Sequence, residues 1–330
     1  MPLRDAHNRI IHDLRVSLTD RCNFRCFYCL PNGEPPLARK ETILSFEEIA
    51  YLSEIFVSLG IKKIRLTGGE PLIRKDVPKL VAQIAKLKPR LTDLALTTNG
   101  FDFLRHAGAL KDAGLDRVTI SLDSLDREKF IDITGVDALD KVYAAIDAAK
   151  KFGFEPIKIN AVLVRGRNDD EIVDFARFAR EYDVAMRFIE FMPLDSGHEW
   201  SREMVVPGKE IHDTINAVYP LRLKESSRGS ETAWKYEFAD GGKGEIGIIA
   251  SVTEIFCGAC SRIRLTADGQ IRTCLFSTTE HNLRDFVRSG AGHEEIVGFI
   301  EDVVMKKEPR HYINDAEFVQ PSRTMSFIGG

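Results

Sequence analysis

The chain has 330 residues, of which 44% are hydrophobic and 29% are charged, and its formal net charge at pH 7 is −4. This composition predicts a soluble globular protein with a large core, and the acidic balance excludes a general attraction to nucleic acid or anionic lipid. Residues 1–10 are charged, and no apolar run is long enough to span a bilayer. We therefore expect a cytoplasmic protein with no membrane and no nucleic-acid partner.

Short β-branched runs alternate with amphipathic segments from residue 13 to residue 192. The alternation predicts parallel strands joined by right-handed crossovers, and hence an α/β fold. Six units favour an incomplete (β/α)6 TIM-like barrel, with an open doubly wound sheet as the alternative, and either fold binds ligands beyond the carboxyl ends of its strands. The predicted strands cover 14–18, 63–66, 93–97, 117–122, 156–163 and 185–191, and the predicted helices cover 45–59, 77–87, 103–113, 139–152 and 170–182.

The pattern changes after Met192, which predicts a boundary between a barrel domain, 1–192, and an α+β region, 193–330. The second region contains a hairpin signal at Ala267-Asp-Gly-Gln270. Its last residues read as an irregular tail that ends in Gly329-Gly330. The region's other predicted elements are helices over 207–219, 283–289 and 294–305 and a strand over 244–250.

The first of two cysteine triplets, Cys22, Cys26 and Cys29, directly follows the first predicted strand. Its spacing lets one tight loop supply three ligands to a [4Fe-4S] cluster and leaves one iron open. An open iron can bind S-adenosylmethionine, whose reductive cleavage gives a radical. The alternatives are a zinc site completed by a distant histidine, or inert buried cysteines.

The second triplet, Cys257, Cys260 and Cys274, is less specific, because a C-x-x-C pair with a later cysteine also suits structural zinc. The chain has only six cysteines, so zinc would need one of its eight histidines, of which His281 is the nearest beyond Cys274. A second cluster with an open iron needs no further ligand, and we prefer that interpretation.

Further motifs carry a resemblance to a known family. The first triplet and Thr67-Gly-Gly-Glu-Pro71 together resemble the radical S-adenosylmethionine (SAM) superfamily. A further set of segments resembles the GTP 3′,8-cyclases, lyases that catalyse the first step of molybdenum cofactor biosynthesis. These segments are the run from Asp13 to the first cysteines, the strand Arg187–Met192, the run Cys257–Arg264, Cys274 and the terminal Gly-Gly. The resemblance spans nearly the whole chain.

The resemblance implies a reaction and a set of cofactors. A 5′-deoxyadenosyl radical would remove hydrogen from C3′ of GTP, and the ribose carbon would attack C8 of guanine to give (8S)-3′,8-cyclo-7,8-dihydroguanosine 5′-triphosphate. The implied cofactors are SAM and two [4Fe-4S] clusters, one on each triplet, with the second holding the guanine. The implied SAM contacts are Tyr28, Gly68, Gly69, Glu70, Ser121 and Met192.

Cations in apolar strands support an anionic substrate. Charge-assisted bonds to phosphate are strong, and a charged residue in an apolar strand needs a special reason. Taken singly, each such cation could instead be an ion-paired or snorkelling surface residue. The resemblance implies that GTP is bound by Arg15, Arg65, Thr97, Lys158, Arg187, Arg262, Ile263 and Arg264.

The resemblance also gives the chain end a function. Gly329 and Gly330 would enter the active site and take part in catalysis, whereas a frayed end is the ordinary interpretation of such a tail. The implied partners are GTP, an external electron donor and the next pathway enzyme, cyclic pyranopterin monophosphate synthase, and a homodimer is left open. The rival functions are another radical SAM enzyme with an auxiliary cluster, such as a peptide maturase, and a zinc-binding protein without catalysis.

Overall fold

The computed structural model describes residues 2–30, 37–195, 199–224 and 228–329. Strands in these ranges are β1 Asp13–Ser17, β2 Lys63–Thr67, β3 Asp93–Thr98, β4 Arg117–Ser121, β5 Lys158–Leu163, β6 Ala185–Glu190, β7 Leu221–Leu223, β8 Trp234–Phe238, β9 Glu245–Ile249, β10 Arg262–Leu265, β11 Gln270–Arg272 and β12 His281–Asn282. Helices are α1 Phe46–Ser58, α2 Val77–Ala85, α3 Phe103–Asp112, α4 Arg127–Thr134, α5 Leu139–Lys151, α6 Ile172–Tyr182, α7 Gly208–Val218, α8 Leu283–Arg288, α9 His293–Met305 and α10 Met325–Ile328.

Local side-chain hydrogen bonds fix where α1 and α4 begin. The Ser45 side chain accepts from the Glu48 amide at 3.1 Å, and the Glu48 carboxylate accepts from the Ser45 amide at 2.7 Å, so a capping box opens α1. Asp126 accepts from the Lys129 amide at 2.9 Å and caps α4, which ends at Gly135 with φ of 72°. The sequence pattern missed α4 because this short helix has a largely polar first turn.

The strands form one sheet in the order β12-β11-β10-β1-β2-β3-β4-β5-β6-β9-β8-β7. From β1 to β6 each strand is parallel to its neighbours, as the predicted barrel requires. Two strands of the C-terminal region continue this parallel arrangement, since β10 pairs with β1 and β9 pairs with β6. The antiparallel strands β11, β12, β8 and β7 lie at the two edges.

The barrel strands separate apolar from polar side chains by their alternation. Leu14, Ile64 and Leu94 are at most 1% exposed and pack in the core beneath the helices. The residues next to them in each strand face the barrel interior, and Arg15 and Thr97 there line a cavity. The interior is therefore a cavity lined by polar and apolar side chains rather than a filled hydrophobic core.

The predicted incomplete barrel is confirmed, and its six strands are present with ends shifted by at most two residues. The predicted irregular tail was wrong at one point, because residues 325–328 form a helical turn. The sheet runs across residue 192, and the boundary proposed there stays a prediction. Within the described ranges, no helix has both the length and the apolar character to cross a membrane.

Candidate active site

Both cysteine triplets line a single cavity at the carboxyl ends of the barrel strands. The cavity opens to solvent, and its volume of about 290 Å³ lies at the lower end of the usual range for a small-molecule site, about 300–1,000 Å³. All six cysteines are half-buried free thiols. The fold thus brings together two groups that lie more than 200 residues apart in the sequence.

The first triplet lies on the loop that follows β1. The amides of Cys29 and Leu30 both donate to the Cys26 carbonyl, at 2.9 and 2.8 Å, and this fold-back turns the cysteines toward the cavity. Burial raises the pKa of Cys22 to about 11 and that of Cys29 to about 12, and it raises the pKa of Cys26 well above its usual value. Binding of a metal by these thiols would therefore release protons from this loop.

Tyr28, between two of these cysteines, is held by Asp123, a residue that the sequence analysis missed. The Tyr28 hydroxyl donates to Asp123 Oδ2 at 2.7 Å, and the Val162 amide donates to Asp123 Oδ1 at 2.8 Å. Asp123 is 3% exposed, and burial raises its pKa to about 6. Asp123 therefore orients the aromatic ring predicted to contact SAM. Ser121 and Met192, two further predicted SAM contacts, also line the cavity.

Gly68 and Gly69 pack directly against the cysteine loop. A Cβ on Gly68 would lie 2.5 Å from the Thr19 carbonyl oxygen, and one on Gly69 would lie 2.1 Å from the Arg21 carbonyl oxygen. The Gly69 amide donates to the Thr19 carbonyl at 2.7 Å. Close approach of two backbones thus requires these glycines, independently of any ligand.

Glu70 is 1% exposed and is engaged by protein donors. Its carboxylate accepts from the Leu72 amide at 3.0 Å, the Thr98 hydroxyl at 2.8 Å and the Asn99 amide at 2.7 Å. Burial raises its pKa to about 7 despite these bonds. These contacts give Glu70 a role in fixing the loops after β2 and β3, and its contact with SAM stays a prediction.

The second triplet brackets the β10–β11 hairpin. Cys257 begins a 3₁₀ turn, Cys260 ends it, and Cys274 follows β11. Burial opposes ionisation of Cys260, but the positive charges of Arg262 and Lys307 outweigh it and lower its pKa to about 7. Burial raises the pKa of Cys257 and of Cys274, so Cys260 is the cysteine of this triplet that most favours a thiolate.

Histidine placement differs from the sequence expectation. His311, rather than His281, lines the cavity beside the second triplet, and its backbone amide lies 3.5 Å from Cys257 Sγ. In the described part of the chain, no group of three or more His, Cys, Asp or Glu side chains is placed to hold a single metal ion. A four-iron cluster has a different requirement, since each cysteine binds a separate iron. The donor set of three thiols on one cavity wall fits such a cluster.

Predicted GTP-binding cations converge below the cysteines. A second cavity, of about 110 Å³, is lined by Arg15, Arg65, Lys158 and Arg262, and Arg15 and Arg262 line the larger cavity as well. Burial and neighbouring cations lower the pKa of Arg15 and Arg65 to about 9 and that of Lys158 to about 7. A cluster of cations whose charged forms are destabilised by burial and mutual repulsion favours an anionic ligand, which would stabilise those charges.

Some predicted contacts have other partners. Arg187 is buried against the Glu245 carboxylate, which also accepts from Lys224 Nζ at 2.7 Å. Ile263 is 1% exposed and packs in the core, on the strand face opposite Arg262. Thr97, by contrast, lines the large cavity and accepts from Arg65 Nη1 at 3.1 Å. The assignments of these residues to GTP stay predictions.

The chain end reaches the top of β1 and β2. The Gly329 carbonyl accepts from Arg264, its amide donates to the Met325 carbonyl at 3.0 Å, and its φ is +79°. A Cβ on Gly329 would lie 2.7 Å from Thr67 Cγ2, so a larger residue would not fit. Gly330 lies outside the described residues.

Two family matches cover most of the chain. Residues 16–179 match the Radical SAM superfamily, and residues 184–313 match a family described as Molybdenum Cofactor Synthesis C. A GTP 3′,8-cyclase of Streptomyces coelicolor is 46% identical, with 99% of this chain and 96% of the relative covered. A GTP 3′,8-cyclase of Syntrophomonas wolfei is 44% identical, with 99% of each chain covered.

Solved structures with low identity share the fold. Streptococcus suis SuiB bound to the precursor peptide SuiA is 16% identical, with a TM-score of 0.60, 93% of this chain covered and 74% of that chain covered. The AdoMet-bound anSMEcpe is 15% identical, with a TM-score of 0.61 and coverage of 91% and 79%. These two likenesses concern the fold alone.

Proposed function

The chain belongs to the GTP 3′,8-cyclase family of the radical SAM superfamily, and from this membership we infer that it is the lyase that converts GTP to (8S)-3′,8-cyclo-7,8-dihydroguanosine 5′-triphosphate in molybdenum cofactor biosynthesis. The single observation that carries the assignment to this site is that both cysteine triplets line one cavity, and that the convergent cations line a second cavity that shares Arg15 and Arg262 with it. A peptide maturase has weaker support, because the whole-chain relatives are cyclases and the peptide-binding neighbour shares only the fold.

The first triplet is the proposed site of radical generation. Cys22, Cys26 and Cys29 would hold a [4Fe-4S] cluster, which when bound supplies the electron that cleaves SAM to a 5′-deoxyadenosyl radical. Tyr28 is fixed by Asp123 and would form one wall for SAM, with Ser121 and Met192 at neighbouring strand ends. Rigid walls hold reacting groups in place, which lowers the entropic part of the barrier.

The second triplet and the cations are the proposed GTP site. Cys257, Cys260 and Cys274 would hold the other cluster, with Arg262 and Arg264 on the strand that follows. Arg15, Arg65 and Lys158 would receive the phosphates, because the cavity that they line carries six arginine and lysine side chains against three carboxylates, those of Asp13, Asp93 and Glu231. This arrangement would hold the ribose between the two triplets.

The tail closes the proposed site from one side. The contacts of Gly329 with Arg264 and Thr67 bring the chain end between the substrate cations and the first loop. A closed cavity strengthens charge interactions and protects a reactive carbon centre from solvent. We therefore keep Gly329 and Gly330 in the proposed catalytic machinery.

Product analysis tests the function directly. Anaerobically reconstituted protein with about eight irons per chain is incubated with dithionite, SAM and either GTP or ATP. We expect 5′-deoxyadenosine and a product isomeric with GTP only in the GTP reaction, and neither from a Cys22→Ala variant. Unchanged GTP after incubation with fully loaded protein would refute the substrate, and about two zinc ions without sulfide would refute the enzyme.

The cellular context belongs to the same proposal. A cytoplasmic location suits six free thiols, because reducing compartments keep cysteines available for metal. An external electron donor is required by the reductive step, and cyclic pyranopterin monophosphate synthase would receive the product. A pull-down of that enzyme with and without GTP turnover tests whether the two proteins associate.

A further inference from the structure

Lys307 is a buried cation that neither the SAM site nor the GTP site uses. It lies just beyond α9, is 4% exposed, and lines the large cavity together with Cys257, Cys260 and Cys274. Its Nζ donates to the carbonyl of Thr273, the residue before Cys274. The ammonium group is therefore held at the second triplet by a neutral acceptor.

No carboxylate within the described ranges forms an ion pair with Lys307. The adjacent Glu308 carboxylate accepts instead from the Thr273 hydroxyl at 2.7 Å. Arg9 provides a contrast, because this other buried cation is paired with Asp5 at 2.5 Å and also donates to the Cys257 carbonyl. A buried charge without a partner costs several kcal/mol, so Lys307 needs an anion, and the thiolates of Cys260 and Cys274 in the same cavity can provide one.

We propose that Lys307 is the counter-charge of the iron–sulfur cluster on the second triplet and sets its reduction potential. The inference rests on the proposed function, in which Cys257, Cys260 and Cys274 hold a cluster. Three thiolates give such a cluster a negative charge, and its net surrounding charge is one determinant of its potential. A nearby ammonium stabilises the reduced form more than the oxidised form, because reduction adds negative charge.

The test isolates the second cluster and changes only charge. In a chain whose Cys22, Cys26 and Cys29 are replaced by alanine, we compare Lys307→Met, Lys307→Arg and the neighbouring exposed Lys306→Met. Iron and sulfide are measured after anaerobic reconstitution, and the midpoint potential is measured by a titration followed with electron paramagnetic resonance. Thermal unfolding of each metal-free chain reports whether the variants fold.

We expect Lys307→Met to lower the potential by at least 59 mV, a tenfold change in the ratio of oxidised to reduced cluster for one electron. Lys307→Arg and Lys306→Met should stay near the parent value. Loss of iron in Lys307→Met that Lys307→Arg restores also supports the counter-charge. A loaded Lys307→Met cluster with an unchanged potential overturns the inference, as does loss of iron in both Lys307 variants. Failure of the parent chain to assemble any cluster instead refutes the proposed second cluster.

Discussion

Replacing Gly69 by alanine distinguishes two roles for the glycine pair after β2, which are packing against the cysteine loop and binding SAM. The added Cβ would lie 2.1 Å from the Arg21 carbonyl oxygen and 2.5 Å from its carbonyl carbon, whereas ordinary contact begins at 3.4 Å. The loop must therefore move by more than 1 Å, and the obstructing atoms are backbone that cannot rotate away. Such overpacking costs about 1–3 kcal/mol.

The shift also strains two backbone hydrogen bonds. The Gly69 amide donates to Thr19 at 2.7 Å and the Glu70 amide donates to Arg21 at 2.8 Å, and each bond contributes about 1 kcal/mol. We expect Gly69→Ala to lower the free energy of unfolding by about 2–4 kcal/mol. Cys22 follows Arg21 directly, so iron should fall from about eight to about four per chain.

Urea unfolding of the metal-free chain and iron analysis of the reconstituted chain measure these two effects. Gly298→Ala is the matched control, because a Cβ there meets nothing within 4 Å inside α9, and it should raise stability by about 0.5–1 kcal/mol. If Gly69→Ala kept its stability and iron and lost only SAM binding, the loop-packing explanation would be refuted.

Three further predictions follow from the charges and the chain end. Burial raises the pKa of Asp123 from 3.8 to about 6, so the folded chain holds this proton more tightly and stability falls as pH rises through that window. Asp123→Asn should remove this pH dependence, which amounts to on the order of 3 kcal/mol in the free energy of unfolding measured with urea across the window. An unchanged dependence of that free energy on pH would contradict this. Burial and nearby cations lower the pKa of Lys158 to about 7, so GTP affinity should fall as pH rises past 7, and calorimetry should find that fall reduced in Lys158→Arg; equal pH profiles would count against it. Deleting Gly329 and Gly330 should abolish cyclisation while iron content is retained, and undiminished product in mass analysis would disprove a role for the tail.

The barrel could be predicted from sequence because its signals are local. Each strand is a short β-branched run, and the first triplet follows the first of these runs at a spacing that a single loop can satisfy. Helix α4 was missed because its first turn, which begins at Arg127, is largely polar and the helix is too short to show helical apolar spacing. The side-chain alternation of β10 also places Ile263 in the core, a distinction that family resemblance alone does not make.

The residues that complete the site could not be found locally. Asp123 lies 95 residues from Tyr28, and Lys307 lies 33 residues after Cys274, so no motif spacing connects either pair. His311 had no metal-like spacing to separate it from the chain's other histidines. The tertiary fold brings these side chains to the cavity and places them beside the groups with which they interact.

Pairing of β10 with β1 and of β9 with β6 has a consequence for synthesis on the ribosome. When residue 192 has emerged, both outer strands of the six-strand core still have unpaired backbone groups. Exposed edges of this kind recruit other strands and promote aggregation. We therefore expect the nascent chain to depend on chaperones until β10 emerges, and chimeras joined at residue 192 to fail unless the donor supplies compatible edge strands.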